Sequence, residues 1–236
     1  MLHASFLMQP VEHFGFLLQR GNELLNDIER SRYFRYARNE SRQQLVLSRW
    51  LVHERLARSF PHLPCNWQLT YDAIGRPAAQ HPELRCPVSY SLSHCDNLSI
   101  CAISNSAVIG IDAEPLHFAV KDSFIEIAFT DLEQETIRSS DWDSIQEMRF
   151  RWTIKESLGK MSGQIGFESI VAFCTASIPG LFEPFVVSCP RYRSWIYGIP
   201  VGSDHVATLA VPQDTDEPMK LVCDNASYWL DQTTDG

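Results

Sequence analysis

The sequence lacks the features that mark a membrane-spanning or secreted protein. No apolar run approaches the roughly 20 residues that span a bilayer, and the first residues lack the basic start of a signal peptide. The seven cysteines are scattered and never spaced as CxxC, which argues against a disulfide framework and a zinc site. We therefore predict a cytoplasmic protein with reduced thiols and no membrane contact.

Lysine is absent from the first 60 residues, which hold nine arginines and six acidic residues. The whole chain nevertheless has a formal net charge of −9, which disfavours general binding to nucleic acid. The local basic excess is either a solvated surface or a phosphate-binding patch, since arginine matches phosphate oxygens in a fork geometry. Five arginines form this excess: Arg30, Arg32, Arg35, Arg38 and Arg42.

The apolar pattern predicts an α+β protein made of two similar halves. In each half a long helix precedes a group of strands. The helices are predicted at 14–25, 27–36, 39–60, 122–129, 130 onward and 141–161, and the strands at 2–8, 67–71, 87–93, 98–104, 107–113, 167–174, 182–187, 194–198 and 205–211. We expect two similar two-layer (α/β) subdomains, 1–106 and 107–236, each an antiparallel sheet packed on its long helix. Short links predict that 87–93, 98–104 and 107–113 form an antiparallel meander.

The stretch AVIGIDAE, residues 107–114, carries the first candidate site residues. Asp112 and Glu114 lie two residues apart, so on a strand they project from the same face. Acids at the end of an apolar strand are costly unless something neutralises them. Glu156 and Lys160 continue the apolar stripe of a long helix at i+4 and i+8 from Trp152. Each acid could form an ordinary salt bridge, but three carboxylates with open positions suit Mg²⁺.

Further polar residues extend this constellation. Lys155 and Lys160 flank Glu156, Ser93 and His94 lie at a strand end, and Arg42 lies in the first turn of a helix, where backbone N–H groups favour an anion. Acids, lysines and arginines together indicate an enzyme that splits or transfers a phosphate-containing group with one metal ion.

Two motifs resemble the paired signature of the 4′-phosphopantetheinyl transferases. Gly110-Ile-Asp-Ala-Glu114 is similar to G-[IV]-D-x-E, and Trp152-Thr-Ile-Lys-Glu-Ser-Leu-Gly-Lys160 is similar to W-[ST]-x-K-E-[SA]-x-x-K. Gly75-Arg76-Pro77, Ser93-His94 and the Phe34 to Arg42 segment also match the larger, single-chain Sfp-type subfamily. The resemblance covers about Arg30 to Phe173.

The resemblance implies an activity and its reactants. The expected enzyme is a cytoplasmic monomer of two pseudo-symmetric α+β halves, with coenzyme A bound in the cleft between them. It moves the phosphopantetheine arm of coenzyme A to a serine of an apo acyl or peptidyl carrier protein. The other product is adenosine 3′,5′-bisphosphate. Mg²⁺, or Mn²⁺ in its place, is the implied cofactor, and coenzyme A is the co-substrate.

The resemblance also implies roles for individual residues. Asp112, Glu114 and Glu156 would bind the metal, and Lys160 and Lys155 would contact the pyrophosphate. Arg42 and His94, with Ser93 and Arg30, would hold the 3′-phosphate. Gly75, Arg76 and Pro77 would line the adenine site. Glu133 falls where some members have the general base, and Glu156 or a water molecule held by the metal are the other candidates.

Two other functions are open from the residues alone. The first is a module that holds coenzyme A or a nucleotide without catalysis, which would show tight binding and no turnover. The second is a metal-dependent phosphohydrolase of another fold, which would need further acidic or histidine ligands.

Overall fold

The computed structural model describes residues 1–8, 23–116, 120–140, 143–164, 166–176, 178, 183–189, 192–214 and 216–226. Six helices have defined bounds in these segments: α1 (Asp27–Arg35), α2 (Asn39–Ser59), α3 (Asp122–Ala128), α4 (Asp131–Ser139), α5 (Ser144–Ser162) and α6 (Phe167–Val171). Most of the helix predicted over 14–25, and the first residue of the strand predicted over 182–187, lie outside the described segments. No described helix combines the length and hydropathy needed to cross a membrane.

In the described segments ten strands form two sheets, which together with the helices make an α+β fold. The strands are β1 (Leu2–Met8), β2 (Gln68–Tyr71), β3 (Pro77–Gln80), β4 (Val88–Cys95), β5 (Leu98–Ser104), β6 (Gly110–Pro115), β7 (Phe185–Cys189), β8 (Tyr192–Pro200), β9 (His205–Pro212) and β10 (Leu221–Asn225). The first sheet has the order β10-β1-β5-β4-β3-β2, and the second has the order β6-β9-β8-β7. Pairing is antiparallel except between β1 and β10, which are parallel. The predicted fold class is confirmed.

Two long helices and two sheets make four layers. Helix α2 packs on one face of the first sheet through Trp50 and Leu51. The other face of that sheet packs against the second sheet, where Ile100 and Ile111 belong to one buried cluster. Helix α5 covers the far face of the second sheet with Ile154 and other apolar side chains. The division at residue 106 stays a prediction, although β10 returns to the first sheet.

The predicted meander is wrong in its third strand. β4 and β5 form an antiparallel pair, but β6 pairs with β9 in the second sheet, where Asp112 lies opposite Thr208. The physical reason is that β1 and β4 occupy both edges of β5, so no backbone groups of β5 remain for β6. β6 is therefore an edge strand of the second sheet that lies against the first.

The segment predicted as a strand over 167–174 is also different, since Phe167–Val171 forms a short helix. Its Ile170 side chain approaches Gly159 of α5, where a Cβ atom would lie 2.9 Å from Ile170 Cγ1. A short apolar run has no periodicity long enough to separate a buried strand from one turn of helix.

Gly110 allows α5 to lie directly against β6. A Cβ atom at this position would lie 2.0 Å from the Ser157 carbonyl oxygen and 2.4 Å from the Met161 backbone nitrogen. Only a residue without a side chain fits this approach. The glycine of the first motif thus brings the helix of the second motif onto the strand that carries Asp112.

Candidate active site

Asp112 lies at the centre of the polar cluster between β6 and α5. Its side chain is almost inaccessible, with the residue 3% exposed. Its Oδ1 atom accepts hydrogen bonds from Ser93 Oγ at 2.8 Å and from Lys160 Nζ at 2.7 Å. Its Oδ2 atom is buried and has no hydrogen-bond partner among the described residues. A buried carboxylate oxygen without a hydrogen bond calls for a partner such as a water molecule or a cation.

Glu156 lies next to Asp112. Burial, followed by the negative charge of Asp112, raises the pKa of Glu156 to about 7. Two carboxyl groups this close cannot both ionise without a compensating positive charge. A proton or a cation therefore belongs between Asp112 and Glu156.

Glu114 is held from the other side by an arginine that sequence reasoning missed. Arg149 Nη1 donates to Glu114 Oε2 at 2.7 Å, and both side chains are largely buried. Burial and then the charge of Asp112 raise the pKa of Glu114, whereas Arg149 opposes this shift. The helical period could have identified Arg149, because it precedes Glu156 by seven residues and two turns place both on one face of α5.

The oxygen-rich donor set suits a hard divalent cation, although the side chains are not arranged as a finished metal site. In the parts of the chain that the structure describes, no three His, Cys, Asp or Glu side chains are placed to hold a metal ion. The partnerless Asp112 Oδ2 and the raised pKa of Glu156 both fit a site where Mg²⁺ replaces a proton. Asp112, Glu114 and Glu156 stay a predicted ligand set.

Lys160 connects this cluster to a cavity. Besides Asp112, its Nζ atom donates to the Ile111 carbonyl oxygen at 3.0 Å and the Leu92 carbonyl oxygen at 3.4 Å. The side chain remains 27% exposed. A lysine that is anchored on three oxygens and still borders open space can meet an anion with little loss of conformational entropy.

The cavity has a volume of about 480 Å³ and lies between α1, α2, the turn before β3, β4 and the end of α5. The predicted residues Gly75, Arg76, Pro77, His94 and Lys160 all border it. The other polar residues that border it include Arg32, which belongs to the basic excess, and Gln44 and Arg49 of α2. Arg49 also forms a buried ion pair with Glu29, which fixes α1 to α2.

The turn before β3 closes the cavity against α5. Arg76 Nε donates to Asp72 Oδ2 at 2.7 Å, and its Nη1 donates to the Met161 carbonyl oxygen at 3.0 Å. Gly75 has a φ of 86°, which glycine adopts without strain. Arg76 thus links the turn before β3 to the last turn of α5 by hydrogen bonds.

His94 and Ser93 have different surroundings although they are adjacent. His94 is solvent-exposed at the edge of the cavity, and partial burial followed by the charge of Lys160 lowers its pKa. Ser93 is buried and points to β6. Its hydroxyl donates a hydrogen bond to Asp112 and accepts one from the Ala113 N–H group. His94 therefore has the position expected of a phosphate contact, and Ser93 does not.

Arg42 and Arg30 do not line the cavity. Arg42 Nε donates to the Tyr36 carbonyl oxygen at 3.0 Å, and its guanidinium lies over the Tyr33 ring. Arg30 pairs with Asp27 at 3.5 Å. The anion-binding role of both arginines stays a prediction.

Glu133 and Lys155 form a buried ion pair away from the cavity. Lys155 Nζ lies 3.0 Å from Glu133 Oε2, and both side chains are 0% exposed. Glu133 also accepts from the backbone and hydroxyl of Thr130 and of Thr175. Thr130 and Glu133 form a capping box at the start of α4, as the Thr-x-x-Glu spacing of residues 130–133 predicts. The roles implied for the pair, general base and pyrophosphate contact, do not fit this geometry, because neither charge can reach a substrate.

The pair's charges are held in place by opposing effects. Burial alone would raise the pKa of Glu133, but hydrogen bonds from Thr175 and Thr130 and the charge of Lys155 lower it. Burial lowers the pKa of Lys155, and Glu133 opposes the shift. Removing one partner of such a buried pair strongly destabilises the fold, because the other charge is left uncompensated.

We expect Glu133→Gln to lower the free energy of unfolding by about 3–5 kcal/mol, because it leaves Lys155 buried without a counter-charge. Urea unfolding followed by circular dichroism measures this loss. Glu135→Gln, on the same helix but exposed, is the matched control and should change stability by less than about 0.5 kcal/mol. A Glu133→Gln protein of wild-type stability that had lost only its activity would restore Glu133 as a candidate base.

Comparisons with known proteins agree with the motifs. Residues 108–184 match the family described as the 4′-phosphopantetheinyl transferase superfamily. The chain is 27% identical over 145 residues to "Putative 4'-phosphopantetheinyl transferase slr0495" of Synechocystis sp., a match that covers 60% of this chain and 58% of that protein. It is 28% identical over 156 residues to "4'-phosphopantetheinyl transferase HetI" of Nostoc sp., covering 65% of this chain and 66% of that protein.

The matched region contains the acidic part of the site described above. It begins two residues before Gly110 and includes Asp112, Glu156 and Lys160. The match spans less than two thirds of the length of each relative. The family match and the two relatives show that this chain is similar to 4′-phosphopantetheinyl transferases over part of its length.

Proposed function

We propose that the protein is an Sfp-type 4′-phosphopantetheinyl transferase that uses Mg²⁺. It transfers the phosphopantetheine arm of coenzyme A to a serine hydroxyl of an apo acyl or peptidyl carrier protein and releases adenosine 3′,5′-bisphosphate. The observation that carries the proposal is the placement of Asp112, Glu156 and Lys160 beside a cavity with basic side chains. The names of the two relatives support the same activity.

The proposed reaction forms one bond and breaks one. The carrier serine oxygen attacks the phosphorus that bears the pantetheine arm, and the bond from this phosphorus to the bridging oxygen of the pyrophosphate breaks. The serine proton must leave, because a neutral hydroxyl is a poor nucleophile. Bound Mg²⁺ would neutralise charge on the pyrophosphate.

The chain's own residues supply the remaining functions in this proposal. Lys160 is anchored on Asp112 and borders the cavity, so its ammonium group would stabilise charge on the departing phosphate. His94, Arg32 and Arg49 would provide hydrogen bonds to the nucleotide end of coenzyme A, with Gly75 and Pro77 beneath it. Because Glu133 is buried in an ion pair, Glu156 is the candidate carboxylate that would accept the serine proton. In this proposal the protein acts as a monomer in the cytoplasm.

Incubation with coenzyme A, Mg²⁺ and several apo carrier proteins tests the proposal. We expect a mass gain of one phosphopantetheine on at least one carrier, and no gain when EDTA removes the metal. Carriers with the acceptor serine changed to alanine are the control. Coenzyme A binding without transfer to carriers of the acyl and peptidyl classes would overturn the transferase proposal and favour a non-catalytic binding module.

A further inference from the structure

Two alternate serines of β4 join the two sheets. Ser91 Oγ accepts the Ile111 N–H at 3.0 Å, and Ser93 Oγ accepts the Ala113 N–H at 3.3 Å. Residues i and i+2 of a strand share a face, so both hydroxyls point from β4 toward β6. β6 pairs with β9 along its other edge, and the serines therefore replace a neighbouring backbone for these two N–H groups.

Ser93 makes one contact that Ser91 does not make. Its hydroxyl donates to Asp112 Oδ1 at 2.8 Å while its oxygen accepts the Ala113 N–H. Together these two bonds fix the hydroxyl relative to β6. Because Lys160 also donates to Oδ1, both donors hold the same oxygen of Asp112. The other oxygen, Oδ2, is left buried and without a hydrogen-bond partner within the described part of the chain.

We infer that Ser93 is a positioning residue for Asp112: with Lys160 it holds Oδ1, so that Oδ2 faces the place of the divalent cation. The inference rests on the proposed function for the cation itself. Hydrogen bonds of this kind fix the orientation of a metal-binding carboxylate. Their removal typically lowers the affinity for the cation 10- to 100-fold.

The competing role for Ser93 is a contact to the 3′-phosphate of coenzyme A, as the family resemblance implies. A serine hydroxyl has one proton, and Asp112 Oδ1 already receives it. The residue is also buried, whereas His94 beside it borders the cavity. A phosphate contact would therefore cost the bond to Asp112, and the geometry favours the positioning role.

Cation affinity separates Ser93 from its matched control. We expect S93A to weaken Mn²⁺ binding, measured by electron paramagnetic resonance of free Mn²⁺, by about 10- to 100-fold. S91A removes the equivalent bond to β6 without touching Asp112, so its Mn²⁺ affinity should stay within about twofold of wild type. Because Ser91 also borders the cavity, it serves as the control for cation affinity only. S93C, which keeps the volume with a weaker donor, replaces S93A if that variant does not fold.

A second readout tests the competing role directly. With coenzyme A and 3′-dephospho-coenzyme A as substrates, S93A should lower kcat while the ratio of the two kcat/KM values stays unchanged. Loss of the preference for coenzyme A in S93A, with wild-type Mn²⁺ affinity, would overturn the inference in favour of a phosphate contact. If the wild type binds Mn²⁺ and S93A binds it equally well, the positioning role of Ser93 is wrong, but the proposed metal site is unaffected. A wild type that does not bind Mn²⁺ would overturn the proposed metal site as well.

Discussion

Gly110→Ala should inactivate the enzyme and destabilise it, although the substitution adds only one methyl group. The new Cβ atom would lie 2.0 Å from the Ser157 carbonyl oxygen and 2.4 Å from the Met161 backbone nitrogen. Both atoms belong to the backbone of α5, so no side-chain rotation relieves the overlap and the helix must move away from β6. Overpacking of this kind costs about 1–3 kcal/mol or more.

The displacement would also separate the groups of the site. Lys160 and Glu156 are on α5, Asp112 is on β6, and Gly110 lies directly under the helix turn that carries Lys160. A shift of about 1 Å in such a constellation can reduce the rate by about 100-fold. We therefore expect kcat/KM for transfer to fall by at least about that factor.

Gly166→Ala is the matched control for this prediction. A Cβ atom at Gly166 would have no atom within 4 Å, so the rate of transfer should change little. Because Gly166 is the N-cap of α6, where alanine is less favourable than glycine, we expect a loss of stability of no more than about 1 kcal/mol. Chemical unfolding and the carrier mass assay measure both properties. A Gly110→Ala protein with the stability and transfer rate of Gly166→Ala would show that α5 does not depend on this close approach.

The acidic residues of the site could be predicted from the sequence, because their spacing within one strand or one helix determines which side chains share a face. Alternation on a strand places Asp112 and Glu114 on one face, and helical spacing places Glu156 and Lys160 on one stripe. The structure brings Asp112, Glu156 and Lys160 together. It directs Glu114 to Arg149, and this pairing depends on how α5 crosses β6, which no local spacing records.

The sheet that contains β6 could not be predicted from its own residues. The two-residue link between the strands predicted over 98–104 and 107–113 is also typical of a hairpin, and the alternation in β6 suits either sheet. The decision depends on β1, which is almost 100 residues earlier in the chain and already occupies the free edge of β5. Strand pairing of this kind is a competition between distant segments, so a local pattern cannot settle it.

Glu133 illustrates a role that local pattern identifies only in part. The capping box with Thr130 follows from the sequence and is confirmed. The same carboxylate also accepts two hydrogen bonds from Thr175 and pairs with Lys155. These partners lie 42 and 22 residues away, and only the tertiary fold shows that they remove Glu133 from solvent.

Asp112→Asn should abolish transfer while leaving the fold intact. The substitution keeps the shape of the side chain and lets Ser93 and Lys160 continue to donate to its remaining oxygen. It replaces the partnerless Oδ2 atom by an NH₂ group, which repels a cation instead of binding it. Loss of the cation and its charge stabilisation should lower kcat by at least about 10³-fold.

Stability should respond much less than activity to Asp112→Asn. Lys160 loses a charged partner, but Glu156 and Glu114 also lose a like charge that raises the pKa of each. These two effects oppose each other, so we expect a net change within about 1–2 kcal/mol in urea unfolding. Retained helix and sheet signals in circular dichroism would then assign the loss of transfer to the site and not to unfolding.

Asp143→Asn is the control, because it makes the same chemical change at the start of α5, the helix that packs on β6. Asp143 is the N-cap of α5 and accepts from the N–H groups of Ile145 and Gln146, and asparagine caps a helix about as well as aspartate. Its transfer rate and Mn²⁺ affinity should equal those of wild type. If Asp112→Asn transferred phosphopantetheine at a rate near that of Asp143→Asn, Asp112 would not be a metal ligand. If raised Mg²⁺ concentration restored the rate of Asp112→Asn, the carboxylate would contribute to cation affinity alone, and Glu156 with Lys160 would be sufficient for the chemical step.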